Sequence, residues 1–178
     1  MASERRTLVA VALIAALAAC ASGPSHAPNA KPAGDEAVLE DLERRTFDFF
    51  WATTNPSNGL VPDRYPTPAF SSIAAVGFGL TSYLVGVERG WITREQARER
   101  VLTTLRFFWT APQGAEATNV TGHRGFFYHF LDMERGLRFE KVELSTIDTG
   151  LLLMGVLSAR QYFDRPDAGD STVRALAD

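Results

Sequence analysis

Apolar positions recur with the period of an α-helix in four stretches of the chain, each bounded by residues that stop a helix. In the first, Leu39, Leu42, Thr46, Phe49 and Phe50 fall on one stripe, which predicts a helix from about Asp35 or Glu36 to Thr53. Asn55-Pro56-Ser57-Asn58-Gly59 ends it with strong turn chemistry. Pro62, Pro66 and Pro68 make Leu60 to Phe70 a loop. A second helix is predicted over Ser71 to Arg89, with Ile73, Val76, Leu80, Leu84 and Val87 on its apolar face and Gly90 just past its end. Its small residues (Ala74, Ala75, Gly77, Gly79, Gly86) permit close approach of a neighbouring backbone. Thr93-Arg94-Glu95-Gln96 is a capping box opening a third helix, which carries Val101, Leu105 and Phe108 and stops by Pro112 and Gly114.

The pattern then changes. Gly125 to Leu131 is an aromatic run containing His129, Met133-Glu134-Arg135-Gly136 is a turn, and Leu137 to Val142 alternates apolar with charged residues. A short β-hairpin inserted between helices follows from that alternation. Ser145, with Asp148 three residues on, opens a fourth helix that is apolar on nearly every face from Ile147 to Tyr162, so neighbours must surround it. Asp170-Ser171 has the form of a further N-cap, followed by Val173 and Leu176. Four helices of about 16 to 20 residues, spaced roughly 35 residues apart, suit an all-α fold, an α/α toroid in which inner and outer helices alternate. This chain would supply about the first four helices of it.

The N-terminus follows different rules. Arg5 and Arg6 precede an uncharged apolar run from Leu8 to Ala19, too short to span a bilayer and of the length of a signal-peptide core. It ends Leu17-Ala18-Ala19-Cys20, and Cys20 is the sole cysteine, at the position where a bacterial lipoprotein is cut and lipidated. An ordinary secretory cleavage with an incidental Cys20 is the alternative. Residues 1–20 are thus expected to be a lipoprotein signal peptide. Ala21, not Asp, follows the Cys, which suits delivery to the outer membrane, facing the periplasm. Residues 21–35, rich in Ala, Ser, Pro, Asn and Gly, read as a flexible tether. Residues 36–178 read as the N-terminal part of a larger domain.

Composition narrows the chemistry. A net charge of −3 and a pI near 5.6 leave no basic footprint for nucleic acid. One cysteine removes a disulfide framework, and His123 and His129 lack partners at metal-ligand spacing, so neither metal nor cofactor is expected. Twelve Phe, four Tyr and three Trp supply either a thick core or ring faces for a ligand. Around the hairpin the sequence gathers Asp132, Glu134, Glu140, Glu143 and Asp148 beside Phe127, Tyr128 and His129. Carboxyl pairs flanked by ring faces are what glycoside hydrolysis uses. Glu143 just precedes a helix start and Asp148 lies in its first turn, where the macrodipole favours ionised carboxylates. Bland explanations compete. Asp148 completes a Ser-x-x-Asp cap, Asp132 can open a turn, Glu143 can be a surface ion pair, and Arg64 can merely pair with Asp63.

Six segments, in order, carry a resemblance: Thr46 to Trp51, Gly59 to Arg64, Ser71 to Leu80, Gly86 to Ile92, Gly125 to Asp132, and Glu143 to Thr149. They resemble the glycoamylase-like family of bacterial (α/α)6-barrel proteins, which includes endo-β-1,2-glucanases and the central domain of cyclic β-1,2-glucan synthases. The resemblance covers about residues 38 to 164. It implies an (α/α)6 barrel with an acidic pocket at one end, acting on β-linked glucan, most simply β-1,2-glucan, at the cell envelope. It further implies catalytic roles for Glu143, Asp148 and Asp132, and substrate contacts for Arg64, Phe127 and His129. The general-acid Glu is expected in a motif beyond residue 178, so the pocket is incomplete as given. A non-catalytic or vestigial glucan-binding lipoprotein on the same fold is the competing expectation. Oligosaccharide or polysaccharide and, through Cys20, a membrane are the expected partners.

Overall fold

Five helices and five short strands make up residues 33–66 and 69–178, the part of the chain that the computed structural model describes. The chain divides into two units, Met1–Glu40 and Asp41–Asp178. Of the first unit, residues 34–40 are exposed turns of helix α1 (Ala33–Thr53). Cys20 and the apolar run before it lie outside the described residues, as does most of the expected tether.

Within the second unit the predicted stripe of α1 is followed in part, Phe49 and Phe50 packing against the core while its remaining positions turn outward. Leu42 and Thr46 are exposed, while Phe47 is buried and stacks on Trp51 and against Trp91. The reason lies in a partner far along the chain. Gly86 has no side chain, and the Phe47 ring occupies the space its Cβ would fill. Trp51 in turn meets Tyr83 edge-on, and the Tyr83 hydroxyl donates to Thr54 Oγ1 at 2.8 Å.

Strand β1 (Phe70–Ser72) leads straight into α2 (Ile73–Glu88), so the second helix starts two residues later than its pattern predicts. Ser72 caps it by accepting from the Ala75 amide. Helix α3 (Arg94–Thr110) opens with the capping box read from the sequence, Thr93 and Gln96 each accepting the other's backbone N–H. Helix α4 (Thr146–Tyr162) is capped by Ser145, as expected. It lies against α2 so closely that a Cβ on Gly155 would stand 2.3 Å from the Gly77 carbonyl oxygen. Two glycines thus set the helix–helix distance. The other side of α4 is open: Ile147, Leu153, Met154 and Leu157 are exposed. The all-round apolar pattern therefore meets core on one face only.

Helix α5 (Ala168–Ala177) is capped by Asp167, not by Asp170-Ser171. Asp170 falls inside the first turn and is fully buried, accepting from Arg94 at 2.7 Å and Arg98 at 3.0 Å. It locks α5 onto α3. The local cap rule cannot foresee this, because both arginines lie more than 70 positions away.

The expected hairpin is present around the turn at Met133–Gly136, with a bridge from Leu131 to Arg138 and a bond from the Phe139 amide to the Phe130 carbonyl. Two small sheets elaborate it. Strand β4 (Phe130–Asp132) pairs antiparallel with β1, with Phe70 opposite Asp132 and Ser72 opposite Phe130. Strand β3 (Phe126–Tyr128) lies between β2 (Gly122–His123) and β5 (Leu144–Ser145). The β2–β3 turn places Arg124 and Gly125 both at positive φ (51° and 83°), the two-residue hairpin geometry whose twist matches the strands. Leu60, Val61, Ile73, Val76, Leu131 and Leu152 form the core beneath these sheets.

Candidate functional site

The expected carboxylates sit where the small sheets meet the start of α4. Register brings them there. In the β3–β5 ladder Phe127 is opposite Ser145 and Tyr128 opposite Leu144. The next pair continues it, because the His129 amide donates to the Glu143 carbonyl at 3.0 Å. Side chains directly opposite in an antiparallel pair are neighbours. His129 Nδ1 accordingly lies 2.7 Å from Glu143 Oε1, and its Nε2 lies 3.3 Å from Asp148 Oδ2. One imidazole thus stands between two carboxylates.

Each carboxylate has its own support. The Glu143 carboxyl is held below its ordinary pKa by its own backbone N–H and then by His129, and it projects into solvent. Asp148 is more enclosed. Its Oδ2 accepts from the Ser145 hydroxyl at 2.7 Å, while its amide donates back to Ser145 Oγ at 3.1 Å. Its place in the first turn of α4 sets the positive end of the helix against it. The capping role and membership of the cluster belong to the same side chain.

A column of rings leads away from the cluster. His129 stacks on Phe130 with centroids 3.9 Å apart, Phe130 meets Phe70 at 4.5 Å, and the Arg64 guanidinium lies 5.2 Å from the Phe70 centroid. Phe139 adds a fourth ring at 4.8 Å from Phe70. Arg64 also pairs with Asp63 at 3.1 Å, so both expected uses of that residue coexist. Cation, ring faces and carboxylates in one stretch suit a polyhydroxylated ligand, whose C–H faces stack on rings and whose hydroxyls donate to carboxylates.

Two expected site residues sit apart. Asp132 shares a sheet face with Phe130 by strand alternation, but its Oδ1 accepts from the Glu134 and Arg135 amides. Those bonds, the Arg135 amide first, hold its carboxyl below the usual range. Turn formation already occupies it. Phe127 faces inward: its ring is buried and meets Phe108 edge-on at 4.9 Å, so it offers no stacking face. Conversely, Phe70, Phe130 and Phe139 escape sequence reasoning as a platform, since no local period links residue 70 with residue 130. Among the described residues no cluster of three or more His, Cys, Asp or Glu could hold a metal.

No family model matches the chain. It is 29% identical over 150 residues to an exo-β-1,2-glucooligosaccharide sophorohydrolase (non-reducing end) of Parabacteroides distasonis, a match covering 83% of this chain. Two solved structures share the fold at similar identity. A β-1,2-glucanase from the same organism superposes with a TM-score of 0.70 at 27% identity over 82% of the chain. An endo-β-1,2-glucanase from Chitinophaga pinensis, solved with sophorotriose and glucose, gives 0.67 at 25% over 80%. The fold is that of the glucoamylase-like α/α barrel proteins, part of which this chain matches. The chain spans 20% of the sophorohydrolase and 35% of the Chitinophaga enzyme. The resemblance to the glycoamylase-like family read from the sequence holds on both counts, relatives and fold.

Proposed function

We propose that this chain supplies the base and substrate-positioning side of a pocket acting on β-1,2-glucan, as part of a glycoside hydrolase-like protein. The observation that carries the reading is His129 standing between the Glu143 and Asp148 carboxylates at the end of a ring column. Relatives that act on β-1,2-glucans support it. Glu143, projecting and ionised, is the better candidate for activating a water or accepting a hydroxyl proton. Asp148, more enclosed, orients sugar hydroxyls. The test is reducing-end release from β-1,2-glucan by the full chain and by Glu143→Gln and Asp148→Asn. Loss of a positioned base costs about 10² to 10⁴ in turnover. Variants that stay within about threefold of wild type, with unchanged circular dichroism, refute the assignment.

A second reading has its own observation. Every carboxyl whose pKa is displaced among the described residues (Asp132, Glu143, Asp170, Asp178) is displaced downward, which suits acceptors and not a proton-donating acid. Glucan binding without hydrolysis follows if the chain acts alone. Calorimetry with sophorotriose showing binding, together with no release of reducing ends, selects it.

We further propose attachment to the envelope through a lipidated Cys20, facing the periplasm from the outer membrane. No helix among the described residues is long and apolar enough to cross a membrane. Fractionation of cells expressing wild type and Cys20→Ser decides this: equal partitioning of the two rejects the anchor.

A further inference from the structure

We infer that His129 is a positioning residue, a two-sided clamp that fixes the spacing of the Glu143 and Asp148 carboxylates for a sugar ligand. The inference rests on the glucan reading and adds a role for a residue that need not touch substrate. Three observations carry it. The ring has a carboxylate oxygen at each nitrogen, 2.7 Å from Nδ1 and 3.3 Å from Nε2. Its rotation is restricted by stacking on Phe130, with 3.9 Å between centroids and 29° between planes. Its backbone is tied to that of Glu143 by the amide–carbonyl bond of the β3–β5 ladder. The imidazole is therefore held from three directions.

Two carboxylates this close to one ring repel each other unless a cation stands between them. The charged groups facing the ring are Glu143, from the segment leading into β5, and Asp148, from α4. Phe130, which covers one ring face, carries no charge. A doubly protonated imidazole donates from both nitrogens and serves both carboxylates; a neutral one has a single N–H and releases one of them. Glu143 is the side that moves when released, because its side chain is 66% exposed whereas that of Asp148 is 16% exposed and tied to Ser145. Removal of the imidazole therefore widens the pair by freeing Glu143.

The experiment has two arms on the full chain. The first looks for the two ring N–H protons of His129 by nitrogen-15 NMR on the acidic side of imidazole titration, with Glu143→Ala and Asp148→Ala as controls. Wild type should show both protons protected from exchange, and each control should lose the one facing the deleted carboxylate. The second arm measures sophorotriose affinity by calorimetry from about pH 5 to about pH 8, the range in which imidazoles titrate. His129→Ala should weaken binding about tenfold, the order expected for loss of one charge-assisted bond. His129→Asn, which keeps a donor near the Nδ1 position, should recover most of that loss and remove the pH dependence seen in wild type. Unprotected ring protons overturn the clamp itself. Protected protons with no wild-type binding of sophorotriose overturn the glucan reading and the positioning role with it. Normal binding with an unchanged pH profile in His129→Ala also overturns the positioning role.

Discussion

The close glycine seam between α2 and α4 makes a sharp test of how the fold is held together. Gly155 of α4 faces Gly77 of α2, and a Cβ added to Gly155 meets the Gly77 carbonyl O at 2.3 Å, its Cα at 2.7 Å and its carbonyl C at 2.8 Å. All three are backbone atoms, so no side chain can swing aside. Ordinary contact is about 3.5 Å, so the helices must separate by roughly 1 Å, enough to forfeit a quarter to a half of the dispersion energy along the seam. The seam is lined by Ile73, Val76 and Leu152, each at most 1% exposed. Overpacking of this kind costs about 1–3 kcal/mol. Helix propensity works the other way, since Ala is better than Gly by about 1 kcal/mol in a helix interior. The expected net effect of Gly155→Ala is a loss of about 0–2 kcal/mol, by the difference of those two terms. Gly150 is the internal control: it lies in the same helix with nothing within 4 Å of an added Cβ, so Gly150→Ala should gain about 0.5–1 kcal/mol. Urea unfolding followed by circular dichroism measures both. If Gly155→Ala stabilises as much as Gly150→Ala, the two helices are not in glycine contact and the packing argument fails.

Asp170→Asn should lose about 3 kcal/mol, because it leaves the Arg94 and Arg98 guanidiniums facing a neutral amide at a buried position. Burial raises the Asp170 pKa, but the two arginines and the Arg165 amide outweigh it and hold the carboxyl below its ordinary value. Its contribution is therefore complete above about pH 4, the unfolded carboxyl's range, and declines as the pH falls toward the folded value. Acid unfolding of wild type should be steeper than that of Asp170→Asn; parallel curves exclude the linkage. On the open face of α4, Met154→Lys combined with Leu157→Glu should change stability by no more than about 0.5 kcal/mol and reduce self-association in light scattering. A loss above about 1.5 kcal/mol means that this face is covered.

What could be read from the sequence was local. Thr93 and Gln96 form the cap their spacing predicts, Ser145 opens α4, and Glu143 and Asp148 flank that start, since capping and helical period involve residues within four positions of one another. What the tertiary structure decided was long-range. Phe47 is the buried ring of α1 because Gly86 leaves room for it, and Asp170 is an anchor because Arg94 and Arg98 lie across the helix pair. His129 meets Glu143 because β3 and β5 pair in one register, and Phe130 meets Phe70 because β4 pairs with β1 in another. Strand pairing joins residues 14 to 62 positions apart, and a shift of one residue would turn each side chain to the opposite face. No local period encodes that choice; the burial of Leu131 and Ser71 against the core selects it.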